Sequence, residues 1–379
     1  MAISIPEALC EYVGTGLCIP WIGAGISVAA GLPTWNGLVE SLVARVGPEL
    51  QSAQQSELQY LTSIGLFEDV VEFGRTHLGE GEYREWLLAT LGRGSPTDLH
   101  RAIVNLPSPA IVTTNYDQLI ETALVSATGA VPTVLTAFDV QPLWTQLARR
   151  RRFLLKMHGD VGRPETIVLT SRDYKRHVFG NLSFMSFLQR MLLGHSILFL
   201  GSSLSDIYIR RVLEEVTYAT EGVGVPHFAV MPNVGTIQRK ILRDRFNVRV
   251  ISYDASKGHV PALLEVLDKV VVGGRAVERE YRTIPPELSQ KLSKILAQVF
   301  IRQAEARRTC EDLGISVTEI NFEMAPLYVW GQVVRLAARE KQLERLLDVL
   351  RERAPGAVRA EGVTKLLEDV SKWVQGEGT

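Results

Sequence analysis

The chain has 379 residues, of which 46% are hydrophobic and 22% are charged, and its formal net charge is −1. This composition is typical of an ordinary soluble globular protein, and the balanced charge gives no indication of direct nucleic-acid or membrane binding. The first residues lack the cationic and apolar regions of a signal peptide, and no uncharged apolar run approaches the ~20 residues that span a bilayer. We therefore expect a cytoplasmic protein without membrane contacts.

The three cysteines are scattered along the chain, at Cys10, Cys18 and Cys310. None of them forms a Cys-x-x-Cys pair, and an odd, dispersed set argues against both a disulfide framework and a four-cysteine zinc site. We expect buried, inert thiols and no bound metal.

A glycine-rich turn follows the first apolar strand, which we expect at about residues 17–22. The tripeptide Gly-Ala-Gly occupies positions 23–25, and Ser27 and Gly31 come next. A strand that ends in glycines and leads into a helix is the usual build of a phosphate-binding loop. The spacing is not the Rossmann fingerprint Gly-x-Gly-x-x-Gly, because Val28 stands at the third position. Alone, the glycines fit a tight turn without a ligand equally well.

The rest of the first 270 residues alternates strands with helices. Helical periodicity fills residues 36–106, and we expect these residues to form a helical cap inserted into a sheet domain. Further strands are predicted at 110–114, 131–135, 153–157, 166–170, 196–200, 228–231 and 248–252. Apolar strands alternating with helices indicate an α/β fold, a Rossmann-like parallel sheet with helices on both faces.

A change in pattern near residue 275 predicts a domain boundary. Gly273-Gly274 and Pro285-Pro286 punctuate the chain there, and only helical periodicity follows. We predict a catalytic α/β domain at 1–275 and a small α-helical domain at 280–379. The apolar stripes of the second domain fit either its own core or an oligomer interface.

Polar clusters follow three further strands of the predicted sheet, at residues 113–117, 156–160 and 201–206. The carboxyl ends of parallel strands are where open α/β sheets bind their ligands. Each cluster is weak alone, because Asn and Asp commonly cap helices and a lone histidine is usually structural.

Together and in this order, the glycine turn and the three clusters resemble the SIR2 (sirtuin-like) family over about residues 10–270. The matching positions are Gly23, Ala24, Gly25 and Ser27 in the first loop, Thr113, Asn115 and Asp117 in the second, His158 and Gly159 in the third, and Gly201, Ser202, Ser203 and Leu204 in the fourth. The resemblance implies that NAD⁺ is bound as a substrate and that its bond between nicotinamide and ribose is broken.

The resemblance also implies roles for these residues. Asn115 would position an incoming water, and His158 would act as a general base because the ordinary pKa of histidine lies near neutral pH. Asp117 would orient the nicotinamide amide or stabilise its positive ring. The glycine loop would hold the pyrophosphate, and Ser202 and Ser203 would bond to ribose or phosphate.

Two departures from the deacylating sirtuins indicate which of the family's reactions the chain catalyses. Those enzymes carry a zinc ribbon with two Cys-x-x-Cys pairs after the His-Gly, whereas residues 160–195 contain no cysteine here. They also carry Asp-Phe-Arg where this chain has Thr34-Trp35-Asn36. Both departures, and the segment 168–174, make the chain similar to the branch of the family that hydrolyses NAD⁺ in bacterial antiphage defence.

Other functions remain open at this point. One is an NAD-dependent deacylase or ADP-ribosyltransferase, and another is a non-catalytic nucleotide-binding subunit of an assembly. A metal-dependent nuclease would need clustered carboxylates and histidines, and the acidic group Glu68, Asp69 and Glu72 fits a solvated helix face better.

The resemblance extends to regulation. NADases of this branch are fused to or paired with a sensing module, and residues 280–379 contain no sensor that inspection of the sequence identifies. We therefore expect a homo-oligomer together with a separate sensor or activator, a HerA-type ATPase or an Argonaute-like protein. An unregulated NADase would kill its host, so we also expect an inactive resting state.

Overall fold

The structure is a computed structural model that describes residues 3–149, 151–175, 180–280, 284–315, 317, 320, 322, 326–359 and 362–375. The chain divides into two compact units, Met1–Arg275 and Ala276–Thr379. The first unit contains the sheet and every residue of the predicted site.

The first unit is built on a seven-stranded sheet in which all paired strands run parallel. Its strands are β1 (Cys18–Ile22), β2 (Ala110–Thr113), β3 (Val134–Thr136), β4 (Phe153–Lys156), β5 (Ser196–Leu200), β6 (His227–Pro232) and β7 (Val248–Tyr253). Their order is β3-β4-β2-β1-β5-β6-β7. The strands β2, β3 and β4 lie on one side of β1 and the strands β5, β6 and β7 on the other, so the strand order reverses between β1 and β5.

Both faces of the sheet are buried, which explains why its strands read as continuous apolar runs. In β1, Ile19 and Trp21 belong to one core, and Cys18 and Ile22 belong to the core on the opposite face. The α/β class, with a Rossmann-like parallel sheet between helical layers, is confirmed.

Helices of the first unit cover the two faces in separate sets. Those that contribute to the core containing Trp21 are α8 (Val140–Ala148), α10 (Leu182–Gly194), α11 (Ile207–Ala219) and α12 (Thr236–Phe246). The opposite core receives α1 (Glu7–Gly14), α6 (Asp98–Val104), α7 (Leu119–Thr128) and α13 (His259–Glu280). Two short helices, α2 (Ala24–Val28) and α9 (Ser171–Tyr174), lie in the loops after β1 and β4.

The excursion between β1 and β2 has a core of its own. Before α6 it contains α3 (Trp35–Val46), α4 (Ser52–Ser63) and α5 (Phe67–Leu91), which bends at Gly79. Its apolar cluster also takes in Tyr116, Ile167 and Leu169 from the loops after β2 and β4. These helices therefore pack directly on the loops that carry two of the predicted motifs.

One sequence prediction about local structure is wrong. Residues 166–170 do not form a strand, because the backbone N–H of Val168 donates to His158 O and its carbonyl accepts the Tyr116 hydroxyl. The Gly273-Gly274 pair lies inside α13, which continues to Glu280. A Cβ on Gly273 would lie 2.4 Å from Cys10 Sγ, so this glycine permits close packing of α13 on α1.

The second unit is helical wherever it is described as regular structure. Its helices are α14 (Pro286–Val299), α15 (Gln303–Leu313), α16 (Pro326–Arg339), α17 (Leu343–Arg353), α18 (Pro355–Val358) and α19 (Val363–Gln375). Their apolar faces share one buried cluster, around Leu292, Val333 and Leu347. The stripes of α14, α17 and α19 therefore contribute to a core within this unit.

Across the described residues of both units, every helix is too short or too polar to cross a bilayer.

Candidate active site

Four loops that follow strands converge at the carboxyl edge of the sheet. They are residues 23–27 after β1, 114–117 after β2, 157–160 after β4 and 201–206 after β5. Thr113 of β2 pairs with Lys156 of β4, so Asn115 and His158 each lie two residues beyond the paired ends of neighbouring strands. The loops after β1 and β5 flank the point where the strand order reverses, which is the usual ligand crevice of such sheets.

The glycines of the first and fourth loops allow the two backbones to touch. Gly25 N donates to Gly201 O at 2.9 Å, and a Cβ on Gly23 would lie 2.6 Å from the same oxygen. Gly201 itself has φ +64°, and a Cβ there would lie 2.7 Å from Ile26 N. Packing thus requires these glycines even without a ligand, while Gly25 remains exposed and Ala24 half-buried at the rim of the crevice.

A buried hydrogen-bond chain joins the first loop to the second. The Asn115 side-chain amide donates to Gly23 O at 3.1 Å and to Ser27 Oγ at 2.8 Å. Ser27 Oγ donates in turn to Asp117 Oδ2 at 2.7 Å, and Asp117 Oδ1 accepts from Leu119 N at the start of α7. Asp117 is therefore both a helix-capping residue and the end of a chain that orients Asn115.

A fully buried lysine holds the backbone of the second loop. Lys156 Nζ donates to Asp117 O at 2.6 Å and to Tyr116 O at 3.1 Å. It also forms ion pairs with Glu121 at 2.7 Å and with Asp160 at 3.3 Å. Burial raises the pKa of Glu121, and the Lys156 charge opposes that increase. The lysine thus fixes the backbone on which Asn115 and Asp117 sit.

His158 lies in a separate aromatic pocket. The Tyr174 hydroxyl lies 3.3 Å from its Nδ1 and 3.2 Å from its Nε2, and Asp206 Oδ2 lies 3.4 Å from Nε2. The Tyr174 ring stacks on Tyr208 with centroids 4.0 Å apart. The hollow that these rings share with His158 has a volume of only about 10 Å³.

Two opposing effects set the proton affinity of His158. Its side chain is almost completely buried, and burial lowers its pKa, because a buried charge lacks solvation. The Asp206 carboxylate acts in the opposite direction. Burial also raises the pKa of Tyr174 well above its ordinary value, so this hydroxyl keeps its proton.

The serines of the fourth loop make local contacts in this structure. Ser202 Oγ accepts from Leu204 N at 3.2 Å, and Leu204 adopts a left-handed backbone with φ +53°. Ser203 is exposed and shares a 2.7 Å hydrogen bond with Ser205. The structure therefore brings Ser27, Asn115 and Asp117 together and places His158 on the neighbouring strand end, while Ser202 and Ser203 line the rim.

Sequence reasoning did not assign roles to three residues that surround the site, Lys156, Tyr174 and Asp206. All three lie inside quoted segments, so their position next to the motifs was the available signal. Their contacts depend on strands that are far apart in the chain, and spacing alone could not reveal them. The described residues contain no group of three or more His, Cys, Asp or Glu side chains arranged to hold a metal ion.

Two stretches of the chain match models of known domains. Residues 109–251 match the model of the SIR2-like domain. Residues 283–367 match the model of the effector-associated domain 1, so the second unit contains a recognisable module that inspection of the sequence missed.

Several curated bacterial proteins are similar to the first unit. The NAD(+) hydrolase ThsA of Enterococcus faecium is 27% identical over 244 residues, which cover 62% of this chain and 46% of that protein. ThsA of Acinetobacter baumannii is 26% identical over 249 residues, covering 62% and 49%. Defense-associated sirtuin 2 of Bacillus subtilis is 26% identical over 214 residues, covering 55% and 20%. The matches span less than half the length of each of these relatives. The first unit is therefore similar to SIR2-like proteins, and three of its four motifs lie within the matched residues 109–251.

Proposed function

We propose that this protein is an NAD⁺ hydrolase that converts NAD⁺ and water into ADP-ribose, nicotinamide and a proton. The similarity to proteins named NAD(+) hydrolase supports the activity. The orientation of the Asn115 side chain is the observation that carries the proposal for this chain.

Both amide hydrogens of Asn115 are used by Gly23 O and Ser27 Oγ. Because both partners lie on the Nδ2 side, the orientation of the amide is fixed, and its carbonyl oxygen Oδ1 points away from them. Among the described residues, no group donates to that oxygen. A carbonyl held in place with an unused lone pair is suited to orient a water molecule, and as a neutral amide it does not itself attack a cationic ribose centre.

The proposed reaction needs little covalent chemistry from the protein. The C1′–N bond breaks with its electron pair going to the nicotinamide nitrogen, which neutralises the pyridinium ring. A water oriented by Asn115 forms the new C1′–O bond and loses a proton. His158 accepts that proton, since its depressed pKa keeps the imidazole neutral and therefore basic at pH 7.

The described conformation supports a closed resting state. A ligand pocket typically has a volume of about 300–1,000 Å³. The hollow beside His158 has a volume of only about 10 Å³, and Tyr174 and Tyr208 are among the residues that line it. We infer that these rings must move before the nicotinamide riboside can reach His158. A conformation in which they have not moved would be inactive.

We further propose that the protein is a cytoplasmic component of a bacterial defence system, which it serves by depleting NAD⁺. The name of the B. subtilis relative and the effector-associated domain at 283–367 support this context. Self-assembly and a separate sensor, of the HerA-type ATPase or Argonaute-like class, remain part of the proposal. We propose residues 36–106 as the cap that the closed state depends on.

The test is NAD⁺ consumption by the full chain over a range of protein concentrations, with product identification. At the concentrations where the chain self-assembles, we expect ADP-ribose and nicotinamide in equal amounts, and loss of both products in Asn115→Ala and His158→Ala. His77→Ala on the exposed side of α5 is the matched control and should keep wild-type turnover. Nicotinamide release only with an acyl-lysine peptide would indicate a deacylase instead. NAD⁺ binding without turnover at any concentration would contradict hydrolysis by the chain alone.

A further inference from the structure

Asp206 uses its two carboxylate oxygens for two different purposes. Oδ1 accepts from Tyr208 N at 2.8 Å and from Ile209 N at 3.2 Å, which caps the N-terminus of α11. Oδ2 lies 3.4 Å from His158 Nε2. A helix cap needs only one oxygen, and serine or asparagine supplies it as well as aspartate does. The cap therefore leaves the contact of the second oxygen with His158 unexplained.

We propose that Asp206 is a positioning residue for His158, whose carboxylate fixes the imidazole orientation and determines which ring nitrogen carries the proton. This inference rests on the proposed function for its kinetic consequence but not for its geometry. Asp206 lies at ion-pair distance from Nε2, and because a carboxylate has no hydrogen to donate, its charge favours the tautomer in which the facing nitrogen carries the hydrogen. In the neutral ring, Nε2 is then protonated and Nδ1 keeps the lone pair that accepts from Tyr174 or from a reacting group.

The cap makes this arrangement rigid. With Oδ1 bonded to two backbone N–H groups of α11, the Asp206 side chain cannot rotate without breaking the helix start. The backbone of His158 is also held, because its carbonyl accepts from Val168 N. The imidazole itself lies between Tyr174, in the segment after β4, and Asp206, in the loop after β5.

Asp206 also brings a negative charge to this pocket. Among the residues that the structure describes, the other titratable side chains that face His158 are Tyr116, with ring centroids 6.3 Å apart, Tyr174 and Tyr208. Burial raises the pKa of all three tyrosines, so they are neutral near pH 7. Loss of the Asp206 charge should therefore lower the proton affinity of His158 and change its preferred tautomer.

The experiment is an NMR titration of the His158 ring in the full chain, comparing wild type with Asp206→Asn. Asparagine keeps an oxygen for the cap but removes the charge, and its amide can donate to the ring nitrogen that it faces. We expect a lower His158 pKa and a changed tautomer in the variant. Where NAD⁺ turnover is measurable, kcat should fall about 100-fold with little change in KM, the scale of a general-base contribution.

Two further variants keep the interpretation clear. Asp206→Ser retains a capping oxygen without a carboxylate and should reproduce the lowered His158 pKa even if the asparagine variant folds poorly. Asp254→Asn changes another capping aspartate, which accepts from Ser256 N at 2.9 Å, and should leave the His158 titration unchanged. A wild-type titration curve in both Asp206 variants would overturn the proposal. Absence of NAD⁺ turnover in wild type would count against the proposed function only, because the titration does not depend on it.

Discussion

The Tyr208 hydroxyl lies 3.4 Å from Oε2 of Glu68, so the first turn of α5 is joined to the first turn of α11. The same carboxylate oxygen accepts the hydroxyl of Ser171, the first residue of α9. Tyr208 stacks on Tyr174, and the Tyr174 hydroxyl bonds to His158. Two aromatic rings therefore connect the helices between β1 and β2 to the candidate base. Glu68 thus connects α5 to α9 and α11, whose tyrosines we propose to close the His158 pocket.

We predict that Glu68→Ala loosens this closure. A hydrogen bond to a charged group contributes about 1.5–3 kcal/mol, and the lower figure applies because Glu68 is half-buried. Since 1.4 kcal/mol corresponds to a factor of ten, the open population should rise about tenfold. Hydrogen exchange over residues 171–174 and NAD⁺ turnover by the isolated chain should both increase.

Asp69→Ala is the matched control for Glu68→Ala. Asp69 is the adjacent acidic residue in the first turn of α5, and it is exposed. The two substitutions remove the same charge from the same helix end, so a general effect on α5 would appear in both. Equal exchange rates in the two variants would show that Glu68 does not hold the pocket closed.

The Ser27 hydroxyl is predicted to matter because it lies between Asn115 and Asp117. Ser27→Ala removes the acceptor for one Asn115 hydrogen and the donor to Asp117, and the site is buried. Leaving buried polar groups unpaired costs about 1–3 kcal/mol, so the variant should fold with reduced stability. A misoriented Asn115 should lower NAD⁺ turnover by about 100-fold, as small displacements of catalytic groups do.

Ser126→Ala serves as the control for this substitution. Its hydroxyl is exposed and donates only to Thr122 O within α7. Denaturant unfolding and turnover of this variant should match wild type. If Ser27→Ala retains full turnover at wild-type KM, the proposed orientation of Asn115 through Ser27 is wrong.

Lys156→Met should be the most destabilising single change at the site. It would leave Glu121 and Asp160 without their cation, and two backbone carbonyls of the 114–117 loop without a donor. Removing one partner of a buried ion pair costs about 3–5 kcal/mol. Lys240→Met, at an exposed position of α12, should change stability by less than about 0.5 kcal/mol. Similar unfolding midpoints for the two variants would contradict the supporting role of Lys156.

The buried side chain of His227 leads to a prediction of how the free energy of unfolding depends on pH, and this prediction does not involve any activity. It is buried, its Nδ1 accepts from Ile197 N at 3.2 Å, and burial lowers its pKa to about 4. The ordinary value is about 6.5, so the unfolded chain binds a proton that the folded chain does not. The stability from neutral His227 is complete above pH 6.5 and is lost as pH falls toward 4.

The expected slope from this residue is up to about 1.4 kcal/mol per pH unit between those two values. His227→Asn keeps an acceptor for Ile197 N but does not titrate, so it should flatten the pH dependence of the unfolding free energy. Urea unfolding at several pH values between 4 and 7 measures both slopes. Identical slopes in wild type and variant would mean that the buried imidazole is not neutral.

The fold was largely predictable because apolar strands buried on both faces leave a simple pattern. All seven strands were placed within three residues of their ends by hydrophobic runs alone. The prediction of a strand at 166–170 was wrong for a physical reason. Ile167 and Leu169 are buried against the helices between β1 and β2 and not in the sheet. An apolar pattern indicates that a segment is buried. It does not indicate which groups the backbone of that segment bonds to.

The motifs predicted which loops meet, but not how their side chains are held. Asn115 and Ser27 are 88 positions apart, and the hydrogen bond between them follows from strand order. The role of Asp206 was similarly hidden, because a capping aspartate after a strand looks the same whether or not its second oxygen reaches a histidine. Residues that support a site through tertiary contacts carry no local signature.

The Gly273 position offers a last test, because two effects there oppose each other. Alanine normally stabilises a helix interior by about 1 kcal/mol relative to glycine. At Gly273, however, the added Cβ would lie 2.4 Å from Cys10 Sγ and 3.1 Å from Cys10 Cβ, so α1 and α13 would have to separate. Overpacking of this kind costs about 1–3 kcal/mol, and Gly273→Ala should therefore destabilise the protein.

Gly81→Ala is the matched change in α5, where a new Cβ meets no atom within 4 Å. It should raise the free energy of unfolding by up to about 1 kcal/mol, opposite in sign to Gly273→Ala. Adding Cys10→Ala should recover part of the loss, because it removes the sulfur atom that the new methyl group meets. If Gly273→Ala instead stabilised the chain as Gly81→Ala does, Gly273 would only lower the helix propensity of α13. The proposed need for a glycine where α1 and α13 pack closely would then be wrong.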